Sequence, residues 1–242
     1  MKRSALAWQA LAKGVGGLAV MALLLFLPAG SWGYWQAWLF LGLLFVPMTC
    51  VATWLLVREP ELLAKRLSSK EQEKAQRQVV ALSALMFVAG FLLAGFDQRF
   101  GWSEMPAWVV AIAAVVMLCG YGLYAEVMRE NTYLSRTVEV QENQKVINTG
   151  LYAIVRHPMY AATLVLYLAM PIVLGSWVAL IPFLAYPFII AHRILNEEHV
   201  LEEGLTGYCE YKQQVRYRLI PFIWRRHYDS KRHYRRSPRV RR

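Results

Sequence analysis

Apolar residues fall in long blocks, broken by short polar stretches, and this pattern predicts membrane-spanning helices. The first block runs from about Gly14 to Ala29 and the second from about Tyr34 to Val57. Trp32, Trp35 and Trp38 form an interfacial belt between them. Residues 58–78 are polar and basic; Pro60 near the start of Glu59-Pro60-Glu61-Leu62-Leu63 predicts a short surface helix there. The third block is about Val79 to Phe96, followed by a loop from Asp97 to Met105, and the fourth is about Pro106 to Met128. After a polar segment with extended character around Thr137-Val138-Glu139-Val140, a second long apolar stretch covers Tyr160 to Ala191. It is too long for one span, and Pro171, Gly175-Ser176 and Pro182 divide it into a helical hairpin with arms near 160–173 and 177–192. From His192 to Trp224 the chain is polar, with helical spacing of Leu195, Val200, Leu201 and Leu205.

The expected architecture is therefore all-α: a polytopic integral-membrane bundle of four spans plus a C-terminal helical hairpin. Three regions follow: 1–128, four transmembrane helices with the 58–78 cytoplasmic loop; 129–224, which holds the hairpin 160–192 and a C-terminal helix; and 225–242, a basic tail. Lys2 and Arg3 before an apolar run resemble a signal peptide, but no small-x-small cleavage site follows, so a retained first helix is expected. Gly14, Gly16 and Gly17 follow no strand, make no nucleotide fingerprint, and read as sites of close helix packing.

Composition agrees. The chain of 242 residues is 57% hydrophobic and only 18% charged, unlike a soluble domain or a disordered chain. Net charge is +11, concentrated in the tail, where nine Lys or Arg stand against the single acid Asp229. On a membrane protein such a tail reads as a contact for anionic lipid, not nucleic acid. The N-terminus, the 58–78 loop and the region after Arg129 are basic, whereas the 30–33 and 97–105 loops are not; the positive-inside rule places both termini in the cytoplasm. Cys50, Cys119 and Cys209 are scattered, which argues against a disulfide framework or structural zinc; Cys50 and Cys119, in apolar stretches, read as packing residues.

Candidate chemistry gathers at the two ends of the hairpin and beyond it: Gly150-Leu151-Tyr152-Ala153-Ile154-Val155-Arg156-His157-Pro158-Met159-Tyr160, then Arg193-Ile194-Leu195-Asn196-Glu197-Glu198-His199-Val200-Leu201, then Gly207-Tyr208-Cys209-Glu210-Tyr211 with Val215-Arg216-Tyr217-Arg218-Leu219-Ile220-Pro221. The ends of a hairpin are neighbours, so the first two clusters should face each other at the membrane surface. Arg193 and Glu197 are four apart and share a helix face, the spacing also of an ordinary surface ion pair. His157 has no partner at ligand spacing, and no metal site is expected.

Together these clusters resemble the isoprenylcysteine carboxyl methyltransferase family, whose superfamily includes phospholipid and small-thiol methyltransferases. The likeness covers roughly Asn131 to Trp224, with REPELLAKR and FDQRFGW upstream similar to bacterial members. Gly150-Leu151-Tyr152 departs from the usual Gly-Pro-Tyr, and the basic tail has no counterpart in the family's chemistry. The resemblance implies an S-adenosylmethionine-dependent methyltransferase of a bacterial inner membrane, with its cofactor pocket on the cytoplasmic side. It assigns His157, Tyr160 and Glu198, and more weakly Tyr152 and Tyr208, to the cofactor, and it puts Arg156, Arg193 and Glu197 where donor and acceptor meet. Glu198→Ala is expected to abolish cofactor binding in a folded protein. A lipid-linked or membrane-partitioned acceptor is implied, its identity open among prenylcysteine, phospholipid and thiol. Two other readings compete: an NADPH-dependent membrane sterol-type reductase, for which the chain is short, and a non-catalytic scaffold or transporter component, for which the expected repeats or paired broken helices are missing.

Overall fold

A computed structural model describes residues 3–67, 74–131, 133–134 and 140–224. The tail from 225 onward, positions 68–73 of the basic loop and Thr137 to Glu139 of the extended stretch lie outside the described residues. The described chain is an all-helical bundle: α1 (Arg3–Ala29), α2 (Trp35–Arg58), α3 (Pro60–Leu67), α4 (Lys74–Phe100), α5 (Ala107–Glu130), α6 (Pro158–Val173), α7 (Trp177–Phe183), α8 (Tyr186–Gly204) and α9 (Tyr208–Gln214). Helices α1, α2, α4 and α5, and the combined run of α7 and α8, are long and apolar enough to cross a membrane. The four expected spans are all present; α1, α4 and α5 run longer than the apolar blocks that announce them, and α2 matches its block in length, shifted by one residue. Asp97 and Arg99, expected in a loop, belong to the last turn of α4. The surface helix predicted near residue 60 is α3, whose Leu62 and Leu63 are buried against Leu6 and Leu55.

One core runs through the bundle. It joins Leu25 and Phe26 of α1, Phe40 of α2, Phe91 of α4, Met117 of α5, Leu166 of α6, Phe183 of α7 and Ile190 of α8. Without water to drive apolar faces together inside a bilayer, close contact is what holds such helices, and glycine permits it. The glycines that do so are not those expected. A Cβ at Gly14 or Gly16 would meet nothing within 4 Å. At Gly95 of α4 it would fall 2.7 Å from the Leu25 carbonyl oxygen of α1, and at Gly120 of α5 it would fall 2.9 Å from Leu166 Cγ of α6. Cys50 and Cys119, expected to pack, are exposed, because they sit on helix faces turned away from the core.

The hairpin is present with one revision. Its first arm is α6; its second arm breaks at Leu184-Ala185 and then continues, as α8, through the polar RILNEEHVL to Gly204. Pro187 has no N–H to donate to the Phe183 carbonyl, so the ladder is interrupted there. The helix then persists beyond the apolar stretch because Leu195, Glu197, Glu198, Leu201, Glu202 and Glu203 are good helix formers. The hairpin turn is tied to the rest of the bundle by polar contacts. Ser176 caps α7 by accepting from Ala179 N at 3.0 Å and donates to the buried Asp97 carboxylate. Asp97 also accepts from Ser103 N at 2.7 Å, and Tyr34 donates to the Leu174 carbonyl at 2.6 Å.

Candidate active site

At the opposite end of the hairpin, three short pieces converge on α6 and α8. The first is the turn Gly150–Ala153, docked on the end of α5. Gly150 has φ +48, and a Cβ there would overlap the Glu130 carboxylate, which accepts from Leu151 N at 3.0 Å. Glycine is needed here for both reasons. The turn brings in Tyr152, whose hydroxyl accepts from Asn131 Nδ2 at 3.0 Å and whose carbonyl accepts from the Tyr211 hydroxyl at 2.7 Å. The second piece is Arg156-His157, leading into Pro158 at the start of α6, where a missing N–H costs nothing. The third is the segment after α9. It runs alongside as a strap: Arg156 N donates to Tyr217 O at 3.0 Å, His157 N to Arg218 O at 2.9 Å, and Arg156 Nη1 to Val215 O at 2.8 Å.

These pieces enclose a cleft of about 840 Å³, its open mouth included. Seven of the eight residues picked out from the sequence line it: Tyr152, Arg156, His157, Tyr160, Arg193, Glu197 and Tyr208. Arg193 and Glu197 meet through a third group. Arg193 Nε donates to the Tyr160 hydroxyl at 2.9 Å, and that hydroxyl donates to Glu197 Oε2. His157 Nδ1 lies 3.8 Å from the other Glu197 oxygen, with its ring stacked near that of Tyr160. Arg193 also stands 5.9 Å from the centre of the Tyr160 ring, within cation–π range.

Glu198, the eighth, is not among the residues lining the cleft. It is 2% exposed and clamped by two guanidiniums. Arg156 Nε donates to Oε1 at 2.8 Å, with Nη2 equally near the same oxygen but off the hydrogen-bond direction. Arg218 Nε donates to Oε2 at 3.0 Å, and His157 Nε2 lies 3.4 Å from Oε1. The carboxylate thus ties strap, α6 and α8 together. Its removal would leave Arg156 and Arg218 buried without a counter-ion, so Glu198→Ala does not isolate a binding defect in an intact fold. Arg218 was missed from the sequence. Arg216, two residues earlier and so on the same side of an extended chain, is exposed, and nothing in local spacing tells the two apart.

Tyr208 is distinctive. It lines the cleft, is 4% exposed, and its hydroxyl has no hydrogen-bond partner. A buried polar group without a partner is unfavourable, and at the wall of a cleft it marks a place for a ligand atom. Burial pushes the hydroxyl well above its ordinary pKa, with the nearby charges of Glu198 and Glu197 acting the same way, so it stays a neutral donor at physiological pH. Among the described residues no group of three His, Cys, Asp or Glu could hold a metal ion.

Residues 108–206 match the family model of phospholipid methyltransferases. That stretch holds α5, the Gly150 turn, α6, α7 and α8, and with them every lining residue picked out from the sequence except Tyr208. It is under half of the chain, and it falls on the part that carries the RHPxY and RxxxEE motifs. Among solved structures, the fold is similar to that of a eukaryotic intramembrane Ras methyltransferase, an isoprenylcysteine carboxyl methyltransferase, at a TM-score of 0.57 and 20% identity, covering 88% of this chain and 77% of that one. Among curated proteins no sequence matches. The family resemblance read from the motifs agrees with the matched family model, and the fold is similar to that of an intramembrane methyltransferase.

Proposed function

We propose that this protein transfers a methyl group from S-adenosylmethionine to a lipid-linked or membrane-partitioned acceptor, in the cleft at the cytoplasmic interface. The observation that carries this reading is the orphaned Tyr208 hydroxyl on a cleft that also holds Arg193, Glu197 and the Tyr160 face, at the mouth of the matched segment.

The donor set fits the cofactor. S-adenosylmethionine, when bound, supplies an electrophilic methyl on a sulfonium, together with an ammonium, a carboxylate and ribose hydroxyls. Tyr152, His157, Tyr160 and Tyr208 are the residues that would hold it. Tyrosine faces attract a cation, the Tyr208 hydroxyl donates to an oxygen, and His157 contributes a ring nitrogen. Arg156, Arg193 and Glu197 supply the polar end. The guanidinium of Arg193, fixed by Tyr160, orients an anionic acceptor such as a carboxylate, which is already ionised and needs no base. For an amine or thiol, Glu197 is the group that takes the proton, and Tyr160 holds it in place. Most of the acceleration in such a transfer comes from holding the reactants in line, and a stiff wall of helix ends suits that task.

Calorimetry on the detergent-purified protein tests the reading, with S-adenosylmethionine, its demethylated product and NADPH as ligands. Saturable binding of the first two and none of NADPH is the expected result. Tyr208→Phe should weaken methyl-donor affinity about tenfold, the loss of one hydrogen bond of about 1.4 kcal/mol, while thermal stability does not fall, because the hydroxyl has no protein partner to lose. Binding of NADPH alone would move the protein to the reductases.

A further inference from the structure

The strap after α9 ends in a loop with an unusual exposure. Arg218 N donates to Trp224 O at 3.2 Å, closing residues 218–224 on themselves, and the Arg218 guanidinium stands 5.0 Å from the Trp224 ring. Leu219 is buried in the bundle core and Trp224 packs against it. Both feet of the loop are therefore fixed to the helices. Its crown is apolar and bare: Phe222 is 86% exposed, Ile223 75% and Ile220 37%. Phe222 has φ +69, a conformation that a bulky residue adopts only under constraint. Its ring rests 5.2 Å from that of Tyr217. The fold thus holds a strained backbone in place and keeps two large hydrophobes out of its own core.

The depth of this loop follows from α6. The strap pairs with Arg156 and His157, immediately before the first residue of α6. With 16 residues, α6 rises about 24 Å, short of a hydrocarbon layer of about 30 Å. At its other end, the hairpin turn is followed by the exposed Trp177, an interfacial residue type. The strap therefore sits at the level where hydrocarbon gives way to headgroups. Its flanks are basic: Arg216 is exposed, and Arg225 and Arg226 follow Trp224 in the sequence. Apolar residues beside arginines at this depth match the chemistry of an anionic bilayer surface.

We propose that the Ile220–Ile223 loop inserts into the interfacial layer of the phospholipid leaflet beside the cleft mouth, with Phe222 and Ile223 as the inserted side chains. Its far side, through Val215 and Arg218, holds Arg156 and Glu198, so insertion pins the wall of the cleft to the membrane surface. The proposal does not depend on which reaction the cleft performs.

The test places a nitroxide at Ile223→Cys, and in parallel at Phe222→Cys, in full-length protein with Cys50, Cys119 and Cys209 replaced. The protein is reconstituted in vesicles of mixed phosphatidylcholine and phosphatidylglycerol. Collision with oxygen, which partitions into lipid, is compared with collision with a water-soluble nickel chelate. The expected result at both positions is oxygen collision exceeding nickel collision several-fold, with the order reversed at Glu203→Cys on the exposed end of α8. Nickel access at 222 and 223 equal to that at 203 would show a loop in water, open to a soluble partner, and would overturn the proposal. Access to neither reagent would show a loop covered by protein, and would overturn it too. Methyl-donor calorimetry on the same variants reports the cleft separately.

Discussion

Glu197 and Glu198 are adjacent in sequence and differ in every physical respect. On a helix, neighbours point about 100° apart, and here that separates a cleft-lining carboxylate held by Tyr160 from one locked between Arg156 and Arg218. The motif picks out both, but which faces the ligand depends on where the strap lies, and the strap is placed by a contact between residues 198 and 218 that no local spacing announces. The two carboxylates should therefore respond differently to substitution. Glu198→Ala leaves two buried guanidiniums unpaired and is expected to cost about 3–5 kcal/mol, visible as a marked fall in thermal stability of the purified protein. Arg218→Ala removes one partner of a carboxylate that keeps Arg156, and should cost less, about 1.5–3 kcal/mol. A Glu198→Ala protein as stable as wild type would mean that the carboxylate is not the tie the structure depicts. Tyr208 gives the opposite signature, affinity lost without stability, so the same melting experiment separates holding the fold from holding the ligand.

At the scale of helices, the hydrophobic pattern was a good guide to existence and a poor one to ends and contacts. Four spans, the surface helix and the hairpin were legible because each shows as a block or a spacing. Helix ends were not, since α1 and α4 carry their ladders into polar sequence where no hydropathy signal changes. Nor was packing: a glycine's value depends on what crosses it. Gly14 and Gly16 cluster conspicuously yet touch nothing, whereas Gly95 is isolated in sequence and lets α1 lie on α4. At Gly95→Ala the new methyl would stand 2.7 Å from the Leu25 carbonyl and 2.4 Å from Pro28 Cγ. Backbone and a proline ring cannot turn aside as a flexible side chain does, so the helices must part. A loss of about 1–3 kcal/mol follows, while Gly16→Ala, with open space around it, should be neutral. Equal melting temperatures for the two variants would count against the α1–α4 contact.

For the whole molecule, the decisive property is that its two ends differ. One end gathers the hairpin turn, the Asp97–Ser103–Ser176 network and the exposed Trp32, Trp35, Trp38, Trp102 and Trp177. The other carries the start of α1, helix α3, the cleft and the strap, with Lys13 of α1 donating to the carbonyl of Leu67 at the end of α3. An even number of crossings before residue 130, and a hairpin after it, bring the start of α1, helix α3, Arg129 and the strap to the cleft end. Charge bias and chain geometry thus agree, although they arise independently: one from the sequence of the loops, the other from helix count. The positive-inside rule is the ground for the proposed orientation, in which the cleft faces the cytoplasm. In a variant with the native cysteines replaced, Ser31→Cys should react with a membrane-impermeant maleimide in intact cells, and Glu203→Cys only after the membrane is opened. Both positions are exposed, so reactivity reports the side of the membrane and not burial. The reverse pattern would do more than flip a diagram. It would put the cleft beyond the reach of a donor supplied from the cytoplasm, and the proposed reaction would fail for want of its cofactor even if every side chain in the site were correctly placed.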